Sequence, residues 1–326
     1  MANRVTFTQI APVAWEHPAD RAALQTLRAL PGFDEVVRKI MGFLGERGIK
    51  HLFTANAVRI GPRQRPRLNA LYDKVLTTLD APERYDLYVT QTPFVNAAAV
   101  GFEHPFIVLH SGTLSLLRDP GEQCVILGHE LGHILSGHAT YTSLALILLH
   151  IGLRNLPFLT GLVLLPIELA LMEWYRKAEL SSDRAGLLAS QSPEASMRLF
   201  LTLAGGEPQD DEQSLDEFLV QAAEYETSDN TLDAVFKVLN VAFRTHPFNT
   251  VRAAELQRWI QSGDYDRIRR GEYPKRHEQR QRPLTDDYAA AAGSYGKEAQ
   301  DAVDQVSALF RTAREAVTEA WRGPSQ

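Results

Sequence analysis

The stretch Asp119-Pro120-Gly121-Glu122-Gln123-Cys124-Val125-Ile126-Leu127-Gly128-His129-Glu130-Leu131-Gly132-His133-Ile134-Leu135-Ser136-Gly137 decides how this chain is read. Its punctuation is that of a helix: Asp119 as N-cap, Pro120 at the first helical position, Glu122 three residues after the cap and Gly137 as a stop. His129 and His133 lie four residues apart and share a helix face, where they offer two imidazole nitrogens to one zinc ion. Glu130 follows about 100° round the helix. From there its carboxylate is placed to take a proton from a metal-bound water, the general-base role this pattern implies. Cys124, Leu127, Leu131, Ile134 and Leu135 form an apolar stripe roughly opposite the histidines, so one side is expected in the core while the other presents ligands.

Composition allows for such a helix in a globular setting. With 326 residues, 44% of them hydrophobic, the chain can bury one large core or two modest ones. A formal charge of −6 argues against nucleic acid as the partner. The single cysteine, Cys124, excludes an internal disulfide and reads as a small core residue, in keeping with a reducing compartment. Met1 to Glu16 contains no apolar run of signal-peptide length, so the chain is expected not to be exported by that route and to be cytoplasmic.

Upstream of the motif, residues 1–80 read as helices packed on the core, with Ala22, Leu24, Leu27 and Leu30, then Val36, Ile40 and Leu44, at spacings of three and four. Strand patterns follow in Leu87-Tyr88-Val89-Thr90, Val95-Asn96-Ala97-Ala98-Ala99-Val100 and Phe106-Ile107-Val108-Leu109, a small sheet just before the motif helix. The core is expected over 81–262. Within it, 141–173 is the most apolar part, interrupted by His150, Arg154, Pro157, Pro166 and Glu168. Neither half makes a convincing transmembrane helix, and the two readings are a buried helical pair or a hairpin set into a membrane or lying on its surface. Residues 263–326 read as a basic linker, with Arg267, Arg269, Arg270, Lys275 and Arg276 at its start, followed by an Ala-rich C-terminal helix. The fold class expected is α+β, mainly α.

A hydrolytic zinc site takes three protein ligands and keeps a fourth position for water. A histidine six residues after the second, as in metzincins, is missing, since that position is Ala139. His138 is read as a structural residue at the helix end. Glu179 is the better third ligand. In Glu179-Leu180-Ser181-Ser182-Asp183 the two acids share a helix face, so Glu179 can reach the metal while Asp183 accepts a hydrogen bond from the free nitrogen of a ligand histidine. Ser182, Ala185 and Gly186 are small enough to let this helix approach the motif helix closely.

With these pieces in place the chain resembles the HtpX-like and CAAX prenyl endopeptidase family of zinc metallopeptidases, of gluzincin type. The resemblance rests on Val95-Asn96-Ala97, His129-Glu130-Leu131-Gly132-His133, Glu179-x-x-x-Asp183, and Thr245-His246-Pro247 followed by Arg252, in that order over roughly residues 85 to 260. It implies a zincin-like domain in which His129, His133 and Glu179 bind one zinc per chain and Glu130 is the catalytic base. It implies further that Asn96 and Ala97 lie on a strand that aligns a peptide by strand addition. His246 and Arg252 fall where this family supports the active site, and there they would stabilise the oxyanion formed on a peptide carbonyl.

The function expected is that of a zinc-dependent endopeptidase acting on a peptide or protein substrate, with 141–173 as a segment open to membrane contact. The alternative is a non-catalytic or latent zinc-binding scaffold at a membrane surface, its fourth coordination position closed by His246.

Overall fold

The computed structural model describes residues 4–151, 165–206, 213–227 and 248–279. Three helices come first. Helix α1 (Pro18–Arg28) starts under a His17 cap whose Nδ1 accepts from Ala19 N at 3.1 Å, with Pro18 preset at the first helical position. Helix α2 (Phe33–Thr54) leaves helical geometry at Gly45, where φ is +58°, a value that glycine adopts without steric cost. Helix α3 (Pro66–Thr78) again begins on a proline.

Strands β1 (Ala57–Arg59), β2 (Leu87–Thr90), β3 (Ala97–Val100) and β4 (Phe106–His110) form one sheet in the order β1-β2-β4-β3. The parallel pair β2 and β4 runs in register from Leu87 with Ile107 to Thr90 with His110. β1 and β3 flank that pair antiparallel to it, so β3 is an edge strand. β1 has no counterpart among the strands expected from the sequence, because three residues are too few to show alternation. Leu87, Val89, Ala97, Ala99, Ile107 and Leu109 face the main core, while Tyr88, Val100, Phe106 and Val108 face the other side and meet Leu146. Alternation along each strand thus fills both faces.

After α4 (Ser111–Leu116) comes the motif helix, α5 (Pro120–Leu135). Asp119 caps it, accepting from Gly121 N at 2.8 Å and Glu122 N at 3.2 Å. The reciprocal half of a capping box is missing, since the buried Glu122 carboxyl has no hydrogen-bond partner among the described residues. At the other end Gly137, with φ +73°, stops the helix. Gly137 N donates to Ile134 O and His138 N to His133 O, the two bonds of a Schellman turn.

Helices α6 (Ala139–Ile151) and α7 (Leu165–Ser190) follow, then α8 (Pro193–Ala204), α9 (Leu215–Thr227), α10 (Asn249–Gln261), α11 (Asp264–Arg269) and α12 (Arg276–Gln279). α5 and α7 make the most extensive helix contact in the fold. Gly128, Gly132 and Gly186 permit it, since a Cβ on Gly186 would lie 2.7 Å from Val125 O. This approach also corrects the picture of α5 as a half-exposed helix: His129, Glu130 and His133 are as buried as Leu127 and Leu131, because α7 covers the ligand face.

The described part of the apolar stretch 141–173 is packed inside. Leu144, Ile147, Leu148, Ile167, Leu171 and Met172 share a second core with Leu27, Phe33, Val36 and Ile40 of α1 and α2. Residues 152–164 lie outside the described residues, and among those described no helix is long and apolar enough to cross a membrane. The expected linker from 263 is structured at its start: Tyr265 and Ile268 are buried, and Arg276 donates to Asp80 O at 2.8 Å and pairs with the Asp80 carboxylate. Apolar side chains and a carboxylate partner hold it to the body of the protein. The C-terminal helix expected at the end of the 263–326 segment lies outside the described residues.

Candidate metal centre

Three residues of α5 and α7 meet where the small-residue stripe draws the helices together. His133 Nε2 lies 3.2 Å from His129 Nε2 and 3.1 Å from Glu179 Oε1, and His129 Nε2 lies 3.5 Å from Glu179 Oε2. All three side chains are buried. A tetrahedral zinc with bonds of about 2.0–2.1 Å holds its ligands roughly 3.3–3.4 Å apart, so these spacings and this His/His/Glu donor set fit the ion.

Burial disfavours a charge on His129, but the carboxylates of Glu179 and Asp183 outweigh it and raise its pKa to about 10. For His133 burial prevails over Glu179, and the pKa falls to about 4. The two carboxylates thus favour positive charge at His129, the charge a metal would bring to the site.

Asp183, one turn after Glu179 on α7, accepts from His129, with Oδ1 2.9 Å from Nδ1. Arg252 on α10 binds the same carboxylate with two nitrogens, Nε at 2.8 Å from Oδ2 and Nη2 at 2.5 Å from Oδ1. Its Nη2 is also 3.7 Å from Glu179 Oε2, and the guanidinium lies over the Phe200 ring at 5.1 Å. Burial works against both charges. Arg252 nevertheless holds the Asp183 carboxyl below the usual range, and Asp183 raises the pKa of the guanidinium in turn. Arg252 thus stands behind His129, bound to that histidine's carboxylate partner, rather than as a cation open to an oxyanion. Glu130 is buried next to His129 on α5.

His138 lies at the helix end, as the sequence reading has it, and its side chain turns towards His133. It is buried, and its Nδ1 lies 3.2 Å from His133 Nδ1, while its Nε2 is 3.1 Å from Asp20 Oδ2. A signal was present in the sequence: in a Schellman turn the residue after the glycine folds back beside the third residue from the helix end, which here places His138 against His133. Asp20, on α1, had no such signal. Tyr175, one turn before Glu179, is buried with its ring 6.2 Å from that of His133 and was likewise unmarked.

Asn96 lies immediately before β3. Its N donates to Thr113 Oγ1 at 2.8 Å and its Oδ1 accepts from Ala97 N at 2.9 Å. Ala97 opens β3 and is buried. His246 lies outside the described residues.

Comparison with known proteins agrees with this centre. The profile of peptidase family M48 matches residues 62–260. The plastoglobule-localized metallopeptidase 48 of Arabidopsis thaliana chloroplasts is 32% identical over 255 residues, covering 77% of this chain and 73% of that protein. A protease HtpX homolog of Moorella thermoacetica is 31% identical over 96 residues, 29% of this chain and 31% of the relative. No solved structure matches.

Proposed function

This chain belongs to peptidase family M48, and from that premise we propose that it is a zinc-dependent endopeptidase with Glu130 as general base. The observation that carries the reading is the convergence of His129 Nε2, His133 Nε2 and the Glu179 carboxylate within ligand spacing, directly beside Glu130. Zinc held there supplies Lewis acidity, which acidifies a water and polarises a peptide carbonyl. Glu130 takes the proton from the attacking water and returns it to the leaving amine. Asp183 keeps the proton of His129 on Nδ1, so that Nε2 stays a bare donor, and Arg252 pins Asp183.

The edge strand β3 fits the role of peptide aligner. His110 N donates to Asn96 O at 3.0 Å, so along the antiparallel ladder Ala98 and Val100 bond towards β4 while Ala97 and Ala99 turn theirs away from it. Asn96 Oδ1 already engages Ala97 N and Ala99 is buried, which leaves the exposed Val95, just ahead of the strand, as the main-chain site for an added peptide. Phe94 and Val95, 75% and 43% exposed, stand ahead of β3 as apolar contacts for substrate side chains.

The test is cleavage of an unfolded protein by the zinc-loaded chain, run beside Glu130→Gln without detergent. The expected result is cleavage by the wild type, a loss of at least about 10²-fold in Glu130→Gln, and near one zinc bound by both. Zinc binding without cleavage by either would support the latent or scaffold reading, with His246 the residue to change next.

A further inference from the structure

The family match begins at residue 62, yet a carboxylate from α1 reaches the metal centre. Asp20 is 1% exposed and surrounded by donors: Trp174 Nε1 lies 3.0 Å from Oδ1, Ser181 Oγ 2.6 Å from Oδ2 and His138 Nε2 3.1 Å from Oδ2. His138 turns its other nitrogen to His133, with 3.2 Å between the two Nδ1 atoms. We propose that Asp20 and His138 are positioning residues for His133, a carboxylate–imidazole relay that keeps the proton of His133 on Nδ1 and its Nε2 free to bind metal. The inference rests on the reading of His129, His133 and Glu179 as ligands.

The argument is one of donors and acceptors. A carboxylate only accepts, so the proton between Asp20 and His138 sits on His138 Nε2. Against burial, Asp20 and Glu16 favour a charge on His138 in the metal-free protein, but a zinc ion on His133 would disfavour it, and the neutral ring then carries a lone pair at Nδ1 to which His133 donates from its own Nδ1. That leaves His133 Nε2 bare, and this is the atom facing His129 Nε2 and Glu179 Oε1. The reversed arrangement, with a proton on His138 Nδ1, would push the His133 proton onto Nε2 and spoil the ligand. His129 receives the same service directly from Asp183, whereas His133 receives it through an imidazole.

The Schellman turn at Gly137 aims His138, and the N-terminal segment holds Asp20. Trp15 Nε1 donates to Ser136 Oγ at 3.1 Å, and His17 N donates to Ser181 Oγ at 2.8 Å, so the chain entering α1 is fastened to the end of α5 and to α7. The competing role for Asp20 is purely structural, as an anchor of α1 on α7.

The experiment is zinc affinity by chelator competition for the full chain and for His133→Ala, Asp20→Asn, His138→Leu, His138→Gln and the Asp20→Asn/His138→Leu double. Asp20→Asn and His138→Leu are each expected to weaken zinc about 10–100-fold. His138→Gln, which keeps an acceptor for His133 and a donor for Asp20, should recover most of the loss. The double should be no weaker than His138→Leu alone, because the relay is already cut. A structural anchor would instead lower the melting temperature while leaving zinc affinity within twofold, or add its effect in the double, and either outcome overturns the proposal. Nitrogen-15 NMR of histidine in the zinc-loaded wild type decides the matter even if variants fail to fold: a proton on His138 Nε2 and a bare Nδ1 is expected, and a proton on Nδ1 refutes it. If the wild type binds no zinc, or His133→Ala binds it unchanged, the metal-site reading itself falls and this inference with it.

Discussion

A Cβ placed on Gly132 would lie 2.5 Å from the Cβ of Ala185, across the interface between α5 and α7. Carbon atoms rest at about 3.5–4.0 Å, so the helices could not keep their spacing around a larger residue. Gly132→Ala gains about 1 kcal/mol of helix propensity. Overpacking costs about 1–3 kcal/mol, and it acts on the interface that spaces the ligands. The variant is expected to fold less stably and to bind zinc at least several-fold more weakly; unchanged zinc affinity in a calorimetric titration would contradict this role for the interface.

Arg252 and Asp183 form a buried, two-nitrogen pair, 5% and 3% exposed. Arg252→Met should destabilise the protein by roughly 3–5 kcal/mol, because it leaves a buried carboxylate without its cation. Adding Asp183→Leu should cost less than its effect in the wild type, and a denaturant double-mutant cycle measures the difference. Strict additivity would mean that the pair is not coupled.

Zinc binding should release protons. The pKa of His129 is raised to about 10 in the metal-free site, so at pH 7 its imidazole is cationic, and ligation requires the neutral form. His133, lowered to about 4, is already neutral there. Zinc affinity should therefore rise with pH, about tenfold per unit between pH 7 and 9, and level off above about 10. Calorimetry at pH 7 in two buffers of different ionisation enthalpy should show at least one proton released per zinc; none released would show that His129 is neutral before the metal arrives.

Strand addition at β3 makes a residue-level forecast for hydrogen exchange. With an uncleaved peptide bound to Glu130→Gln, the amide of the exposed Val95, just ahead of β3, should exchange about tenfold more slowly or beyond. Ala98 and Val100, already turned to β4, should change little. Bound peptide with Val95 exchange unaltered would move the peptide away from this edge.

Much of the site was legible before any coordinates, because it follows from helical periodicity. His129, Glu130 and His133 sit on one helix, and Glu179 and Asp183 on another, each pair of ligating or supporting residues four apart. Small residues at Ser182, Ala185 and Gly186 announced the close crossing that joins them. Cap and stop signals at Asp119 and Gly137 marked the ends of α5 correctly, although Glu122 does not close the capping box.

What the sequence determined by itself is therefore the local set: the motif helix with its ends, the His/His/Glu donor set, the strand patterns and the family. Those features repeat at intervals of two to four residues, and their geometry is a property of the backbone. Tertiary structure alone decided which residues stand behind the donors. Asp20 meets His138 across 118 positions (138 − 20), and Arg252 meets Asp183 across 69. No periodicity links residues so far apart; packing of α1 and α10 against α7 brings them together. Packing also buried both faces of α5 and folded residues 264–279 back onto the N-terminal segment, where Arg276 found Asp80.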